Sequence, residues 1–166
     1  MSRHRDAAEL SKSEQPWLAE AVQLAVESVA SGGGPFAAAV LRAGTVVATG
    51  ANEVVRSLDP TAHAEVVAIR AACHSLGRYS LAGCVLVSSC EPCPMCLAAA
   101  LWSRVDRVIY AADRHDAAAA GFDDSAFYRL FEQDRQSWPI PVTHQAIRDS
   151  RAPFAAWKNR SDRVEY

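Results

Sequence analysis

Three side chains of the types that bind zinc lie in two short motifs. His63 belongs to Thr61-Ala-His-Ala-Glu65, and Cys93 and Cys96 belong to Glu91-Pro-Cys-Pro-Met-Cys96. Zinc prefers imidazole nitrogen and thiolate sulfur in a tetrahedron, and the C-x-x-C spacing lets two thiolates share one ion. Three protein ligands leave a fourth position for water, which is typical of a catalytic site. The motifs therefore predict one catalytic zinc ion per chain.

Glu65 supplies the proton-transfer group that such a site needs. Zinc lowers the pKa of a bound water to about 7, and a carboxylate beside that water can accept its proton and pass it on. His63 and Glu65 are two residues apart, about 200° around a helix, so they cannot share one helix face. They can converge on one ion only if it lies beyond the first turn of the helix.

Two predicted helix N-termini must position these groups. Asp59 and Pro60 carry the cap and first-turn signals of a helix over residues 61–76. Pro94 fits the first position of a second helix over 94–103, with the preceding cysteine as its cap. Both N-termini would then point at one ion, where their partial positive charge favours thiolate over thiol.

The rest of the chain alternates predicted helices and strands. Ala43-Gly44 joins the first two strands into a hairpin, and residues 113–125 are predicted to be irregular. The order of elements predicts an α/β fold, with a partly parallel sheet that is covered on both faces and begins with that antiparallel hairpin. The further helices are predicted over 17–31, 127–133 and 152–159, and the strands over 36–42, 45–51, 84–88, 105–111 and 140–144.

Composition excludes several classes of protein. A chain of 166 residues has room for one domain, and a 50% hydrophobic, 22% charged composition is that of a globular protein. A net charge of -2 gives no basic excess for a nucleic-acid backbone. No apolar run approaches the roughly 18–20 residues of a membrane span, and the polar start has no secretory apolar region. We expect a cytoplasmic protein without nucleic-acid or membrane partners, with residues 1–15 as a flexible tail and 16–166 as one domain.

All five cysteines lie between Cys73 and Cys96. In a reducing compartment such a cluster indicates metal binding or catalysis rather than a disulfide framework. Cys90 with the three predicted ligands also makes a formal Cys₃His set, so a closed structural zinc module is an alternative, although it leaves Glu65 without a role. A redox dithiol is a further alternative, but it needs no distant His-x-Glu.

His-x-Glu followed by Pro-Cys-x-x-Cys is the signature of zinc-dependent nucleobase deaminases. From about Trp17 to its C-terminus the sequence resembles the bacterial guanine deaminase branch of that family. The Gly-Phe-Asp-Asp-Ser segment and the terminal tyrosine point to guanine. The matching segments are Gly33-Gly-Pro-Phe36, Asp59–Glu65, Ser88–Cys96, Ala119–Ser125, Pro153-Phe-Ala-Ala-Trp157 and Glu165-Tyr166.

The resemblance implies a fold, a reaction and roles for named residues. The fold would be the cytidine-deaminase-like three-layer α/β/α sandwich with a mixed sheet. One Zn²⁺ would activate water to attack C2 of guanine, giving xanthine and ammonia in a step of purine salvage or catabolism. Residues 150–166 would be exchanged between the subunits of a homodimer. The implied roles are zinc ligation for His63, Cys93 and Cys96, catalysis for Glu65 and Asp124, and base binding for Phe36, Asn52, Trp102 and Tyr166.

Several alternatives stay open on the residues alone. Phe36 and Trp102 could instead be ordinary core aromatics. Asp124 could be a helix cap before Ser125, and Tyr166 could be a frayed terminus. A tRNA adenosine deaminase shares both motifs but needs a positive surface for RNA. Another nucleobase or aminotriazine deaminase is also compatible with them.

Overall fold

The computed structural model describes residues 12–165, so the first eleven residues of the predicted tail and Tyr166 lie outside the described residues. The described chain forms two compact units, which are residues 12–124 and residues 125–165. We describe each unit by itself.

The first unit is built on a four-stranded mixed sheet in the order β2-β1-β3-β4. β1 is antiparallel to both β2 and β3, whereas β3 and β4 are parallel. Ala43 and Gly44 have φ values of 50° and 78° and form the tight turn of the β1–β2 hairpin, as predicted. The strands are Ala37–Arg42 (β1), Thr45–Ala51 (β2), Cys84–Cys90 (β3) and Arg107–Ala112 (β4).

Helices cover both faces of this sheet. α1 packs against β1, β3 and β4 on one face, while α3 packs against β1 and β2 on the other with α4 beside it. The predicted α/β fold with three layers is confirmed. Nowhere in residues 12–165 is a helix long and apolar enough to cross a membrane. The helices of this unit are Gln15–Ala30 (α1), Val54–Ser57 (α2), Ala64–Leu76 (α3), Pro94–Ser103 (α4) and Arg114–Ala119 (α5).

Two apolar clusters fill the spaces above and below the sheet. Val40 and Leu86 belong to the cluster under α3, whereas the next residues along, Leu41 and Val87, belong to the cluster under α1. Successive side chains of a strand point to opposite faces, so a strand buried on both sides is apolar at every position. This explains the apolar runs Ala37–Leu41 of β1 and Cys84–Val87 of β3.

Gly50 allows β2 and α3 to approach at backbone distance. A Cβ atom at this position would lie 2.5 Å from the carbonyl oxygen of Ala64 and 2.5 Å from the backbone nitrogen of Ala68. No side chain larger than hydrogen fits there unless the backbone shifts. The glycine therefore fixes how closely the first turn of α3 lies against the sheet.

The second unit contains two helices and a short turn. They are Ser125–Phe131 (α6), a 3₁₀ turn over Arg135–Ser137, and Ala152–Asn159 (α7). Phe131 and Trp138 pack edge to face with ring centroids 5.5 Å apart. None of the residues 125–165 is buried.

The predicted start of the helix over residues 61–76 is wrong. α3 begins at Ala64 rather than at Thr61. Asp59 does not cap it, because its Oδ1 accepts from the backbone N–H of Thr61 at 2.8 Å and from the Thr61 hydroxyl at 2.7 Å. These local bonds close a turn of the Asx type, and the helix starts only after it.

Two other sequence-based assignments are also wrong. Residues 140–144 form no strand, because Pro139 and Pro141 have no N–H to donate to a sheet. Residues 113–125 are not wholly irregular, because Asp113 and Asp116 form a capping box that starts α5.

Candidate active site

Three zinc-type donor atoms converge at one end of the first unit. The Nδ1 of His63 lies 3.6 Å from the Sγ of Cys93 and 3.5 Å from the Sγ of Cys96, and the two sulfurs are 3.6 Å apart. For a tetrahedral zinc the expected separations are about 3.8 Å between thiolates and about 3.6 Å between thiolate and imidazole. Within residues 12–165 these three residues form the group that could hold a metal ion. The donor set fits a single zinc ion.

Two helix N-termini position these donors, as predicted. His63 is the N-cap of α3 with φ -66° and ψ 153°, and Cys93 is the N-cap of α4 with φ -64° and ψ 168°. Pro94 lies in the first turn of α4, followed by the fully buried Cys96. Both motifs therefore present their side chains from a cap and a first turn, where free N–H groups favour negative charge.

The two thiols share a hydrogen bond that separates their acidities. A hydrogen bond joins the sulfurs of Cys93 and Cys96, which are 3.6 Å apart, and it holds the pKa of Cys93 well below its usual range. The same hydrogen bond, together with burial, raises the pKa of Cys96 above its usual range. The hydrogen bond to Cys93 also raises the pKa of His63. A divalent cation that binds both sulfurs displaces the shared proton, so metal affinity rises with pH.

Glu65 is buried beside these donors and is only 5% exposed. Its Oε1 accepts from the hydroxyl of Ser88 at 3.1 Å, and its Oε2 accepts from the thiol of Cys96 at 3.4 Å. Burial raises the pKa of Glu65, because the charged form loses its solvation. A carboxyl group in this position takes up a proton more readily than one in water.

A cavity of ≈ 710 Å³ opens onto this cluster. Asn52 lies in its wall, and the Oδ1 of Asn52 accepts from the backbone N–H of Val54 at 3.3 Å. A Cβ at Gly34 would lie 3.0 Å from the Asn52 side chain, so the glycine leaves room for the amide. The structure brings most of the predicted site residues to this cavity, whose lining includes Phe36, Asn52, His63, Glu65, Cys93 and Asp124.

Of the predicted base-binding aromatics that the structure describes, one lines this cavity and one does not. Trp102 lies in the last turn of α4, is 67% exposed, and is not part of the cavity lining. Tyr166 lies outside the described residues. Phe36 does line the cavity, and it packs edge to face on Phe122 with ring centroids 5.0 Å apart. The roles of Trp102 and Tyr166 stay predictions.

Asp124 lines the cavity at the end of the first unit and is partly buried. Burial raises its pKa, and the nearby Cys93 raises it further, while the positive charge of Arg114 opposes both effects. The carboxyl group therefore stays protonated to a higher pH than an ordinary aspartate.

Sequence analysis did not identify three side chains of this region. The hydroxyl of Ser88 donates to Glu65 across 23 residues of sequence, and Glu91 accepts from Arg114 across another 23. Glu91 is visible in the Glu-Pro-Cys motif, but nothing in the sequence pairs it with an arginine. Contacts between separate elements leave no periodic signal, so only the fold reveals them.

Cys90 does not complete a closed Cys₃His site. Its thiol donates to the carbonyl oxygen of Asp113 at 3.5 Å, and within residues 12–165 the group that could hold a metal does not include it. This arrangement favours a site with three protein ligands over the structural zinc module.

Comparison with known proteins identifies the family. Residues 11–112 match the cytidine and deoxycytidylate deaminase zinc-binding region. The chain belongs to this family of zinc-binding deaminases. It is 48% identical to a guanine deaminase of Bacillus subtilis strain 168 over 92% of this chain and 98% of that protein. The X-ray structure of guanine deaminase from Bacillus subtilis matches with a TM-score of 0.89 over the same shares of the two chains.

Other deaminases match over shorter stretches. A guanine deaminase structure from Nitrosomonas europaea is 35% identical with a TM-score of 0.64, covering 70% of this chain and 67% of that one. A tRNA-specific adenosine deaminase of Aquifex aeolicus is 38% identical over 58% of this chain and 64% of that protein. The likeness to the Bacillus subtilis guanine deaminase thus extends further along both chains than the likeness to this tRNA deaminase.

Proposed function

We propose that this zinc-dependent deaminase hydrolyses guanine to xanthine and ammonia, a step of purine salvage or catabolism. The observation that carries the proposal is one cavity that joins the zinc-binding cluster and Glu65 to Asn52 and Asp124. The 48% identity to a guanine deaminase along almost its full length supports guanine over other bases.

Each residue of the cluster has a separate role in the reaction. His63, Cys93 and Cys96 hold the zinc, which supplies the Lewis acidity that makes water nucleophilic at neutral pH. Glu65 accepts the proton of the attacking water on a carboxylate oxygen and then delivers it to the substrate. Burial suits Glu65 to this task because it raises the pKa of the carboxyl group, which therefore holds the proton more firmly than an exposed glutamate would.

The remaining lining residues recognise the base. The reacting edge of guanine carries N1–H and a 2-amino group, both donors, and the carboxylate of Asp124 can accept hydrogen bonds from them. It can then pass the proton of the hydroxyl added at C2 to the amine, so that the C2 carbonyl forms as ammonia leaves. The amide of Asn52 offers both a donor and an acceptor. Phe36, braced by Phe122, gives a flat purine an aromatic wall.

A substrate panel tests the proposal. Zinc-loaded protein is offered guanine, adenine, cytosine, an aminotriazine and unmodified tRNA, and ammonia release is followed under identical conditions. We expect guanine to be deaminated with the highest kcat/KM. Faster deamination of adenosine in tRNA would instead support the alternative interpretation, in which the protein is a tRNA adenosine deaminase.

We also propose that the protein is a homodimer in which residues 150–166 are exchanged, so that Tyr166 closes the site of the partner. Residues 125–165 bury no side chain, and Phe127 and Phe154 are 56% and 68% exposed. α1 likewise exposes Val26 at 58% and Val29 at 52%. Apolar surface of this kind supports association with a second copy of the chain.

We also propose that the protein is cytoplasmic. Its five cysteines lie between Cys73 and Cys96, and two of them belong to the group that could hold a metal ion. A metal-binding cysteine cluster is more typical of a reducing compartment than of an oxidising one, which supports this location.

A further inference from the structure

A partly buried ion pair, Glu91–Arg114, lies in the wall of the catalytic cavity, which Asp124 also lines. The Oε1 of Glu91 accepts from the Nε of Arg114 at 3.1 Å and also from its Nη2, while Oε2 accepts from the backbone N–H of Arg114 at 3.1 Å. The Glu91 side chain is 13% exposed and that of Arg114 is 36% exposed. Both carboxylate oxygens are thus engaged by one residue, which gives the pair a defined geometry.

The pair belongs to a set of bonds between the metal-binding loop and the segment that leads to Asp124. The N–H of Glu91 donates to the carbonyl oxygen of Ala112 at 2.8 Å, and the thiol of Cys90 donates to that of Asp113 at 3.5 Å. Pro92, between Glu91 and the ligand Cys93, is fully buried. The Glu91–Arg114 ion pair is the side-chain part of this connection.

Arg114 is the first residue of a compact segment that ends next to Asp124. α5 is capped by Asp113, and after it the N–H of Phe122 donates to the carbonyl oxygen of Ala117 at 2.9 Å. Phe122 packs edge to face against Phe36, and both rings line the cavity. Fixing Arg114 therefore fixes one end of this segment, and Asp124 follows its other end by two residues.

We propose that Glu91 and Arg114 are positioning residues, which hold the carboxyl group of Asp124 at a set place relative to the zinc ligands. The inference rests on the proposed function, since it assigns Asp124 to the reaction. A displacement of about 1 Å at a reacting group can cost about 10²-fold in rate. Loss of the ion pair thus reduces turnover through Asp124, without removing any group that touches the substrate.

The test compares Arg114→Gln with a matched control, Arg107→Gln. Arg107 forms an ion pair with the buried Glu14, but it lies at the opposite end of β4 from the metal-binding loop. Both variants lose an arginine from a partly buried ion pair, so they share the effect on stability. We expect Arg114→Gln to keep its zinc and to lose between about tenfold and a hundredfold in kcat, whereas Arg107→Gln keeps its kcat.

The double variant Arg114→Gln/Asp124→Asn separates positioning from a general structural role. If Arg114 acts through Asp124, the second substitution adds no further loss in the Asp124→Asn background. Losses that multiply, or an Arg114→Gln enzyme with full kcat, would overturn the inference.

Hydrogen exchange gives a readout that does not depend on guanine turnover. In zinc-loaded protein we expect faster amide exchange over residues 113–124 in Arg114→Gln but not in Arg107→Gln. Unchanged exchange there would refute the positioning role. If the wild-type protein does not deaminate guanine but the exchange rates change as expected, the proposed function is wrong and the positioning role is still supported.

Discussion

Glu65 is held by two buried donors, the hydroxyl of Ser88 and the thiol of Cys96, at 3.1 and 3.4 Å. These contacts fix both carboxylate oxygens next to the metal ligands, and burial raises the pKa of the carboxyl group, so that it holds a proton more readily. At the scale of single residues, the site thus depends on a carboxylate whose position and basicity are both set by its surroundings.

Glu65→Gln is expected to retain zinc and the fold but to lose at least about 10²–10⁴-fold in kcat, because the amide cannot accept a proton. Steady-state guanine deamination measures the loss, and metal analysis confirms that zinc is kept. Glu20→Gln, the same change at an exposed position of α1, is the control and leaves kcat unchanged. Near-normal turnover of zinc-loaded Glu65→Gln would remove Glu65 from the mechanism.

Asp124→Asn distinguishes a catalytic role from a helix cap. Asn caps a helix as well as Asp, so a mere cap would lose only a fraction of about 0.5–2 kcal/mol of stability and no turnover. We expect instead a large loss of kcat with zinc content and the unfolding midpoint unchanged. The neighbouring exposed Asp123, which is not in the cavity lining, provides the control Asp123→Asn. Equal kinetics of the two variants would contradict the assignment.

The start of α3 brings His63 and Glu65 to the site, and the sheet sets where that start lies. β2 reaches α3 at Gly50, where a Cβ would lie 2.5 Å from two backbone atoms of the helix. α4 presents Cys93 and Cys96 in the same way from its own first turn. The geometry of the site is therefore set by how two helices pack on the sheet.

Gly50→Ala is expected to destabilise the protein by about 1–3 kcal/mol, because the added methyl group has no space between two backbones. The shift of α3 should also weaken zinc retention, since the helix carries one of the three ligands. Urea unfolding and zinc content after dialysis measure the two effects. Thr49→Val, at the adjacent exposed position, should stay within about 0.5 kcal/mol. A Gly50→Ala variant as stable as Thr49→Val would show that the close approach can relax.

A metal ion would connect elements of the protein that are distant in sequence. His63 at the start of α3 and the two cysteines at the start of α4 come from different helices, and a hydrogen bond joins the two sulfurs. Binding of zinc to the folded state alone therefore stabilises the fold as well as the chemistry.

We expect one tightly bound zinc per chain and a lower thermal unfolding midpoint after chelation, restored by added zinc. Elemental analysis and calorimetry measure these quantities. Cys96→Ser should lose the metal, whereas Cys73→Ser, which changes a thiol that donates to the carbonyl of Tyr79, should keep it. Fully active protein with a zinc stoichiometry near zero would exclude the zinc mechanism.

Exchange of the C-terminal segment is testable by mixing two inactive chains. A chain lacking Tyr166 and a Glu65→Gln chain are unfolded together and refolded. If Tyr166 closes the partner's site, about half of the dimers are mixed and each has one complete site, giving about a quarter of wild-type activity. Each chain refolded alone serves as the control. If the Tyr166 deletion impairs activity and mixing restores none of it, Tyr166 closes the site of its own chain and the exchange is ruled out.

The sequence by itself predicts the zinc ligands as a set, because His-x-Glu and Cys-x-x-Cys are local patterns with a chemical reason for each residue. It also predicts the hairpin, the helix that begins at Pro94 and a partly parallel sheet covered on both faces, since periodicity and turn residues act over a few positions. Local signals can compete, however. Asp59 bonds to Thr61 rather than capping the helix, and two prolines remove the strand expected over 140–144.

Which distant side chains meet depends on the packing of the folded chain. Ser88 with Glu65, Glu91 with Arg114, and Phe36 with Phe122 are pairs from different elements, and no sequence period links them. The fold also separated Cys90 from the metal donors by turning its thiol to the carbonyl of Asp113. Such contacts depend on the packing of helices against the sheet, which is set by the whole core rather than by neighbouring residues.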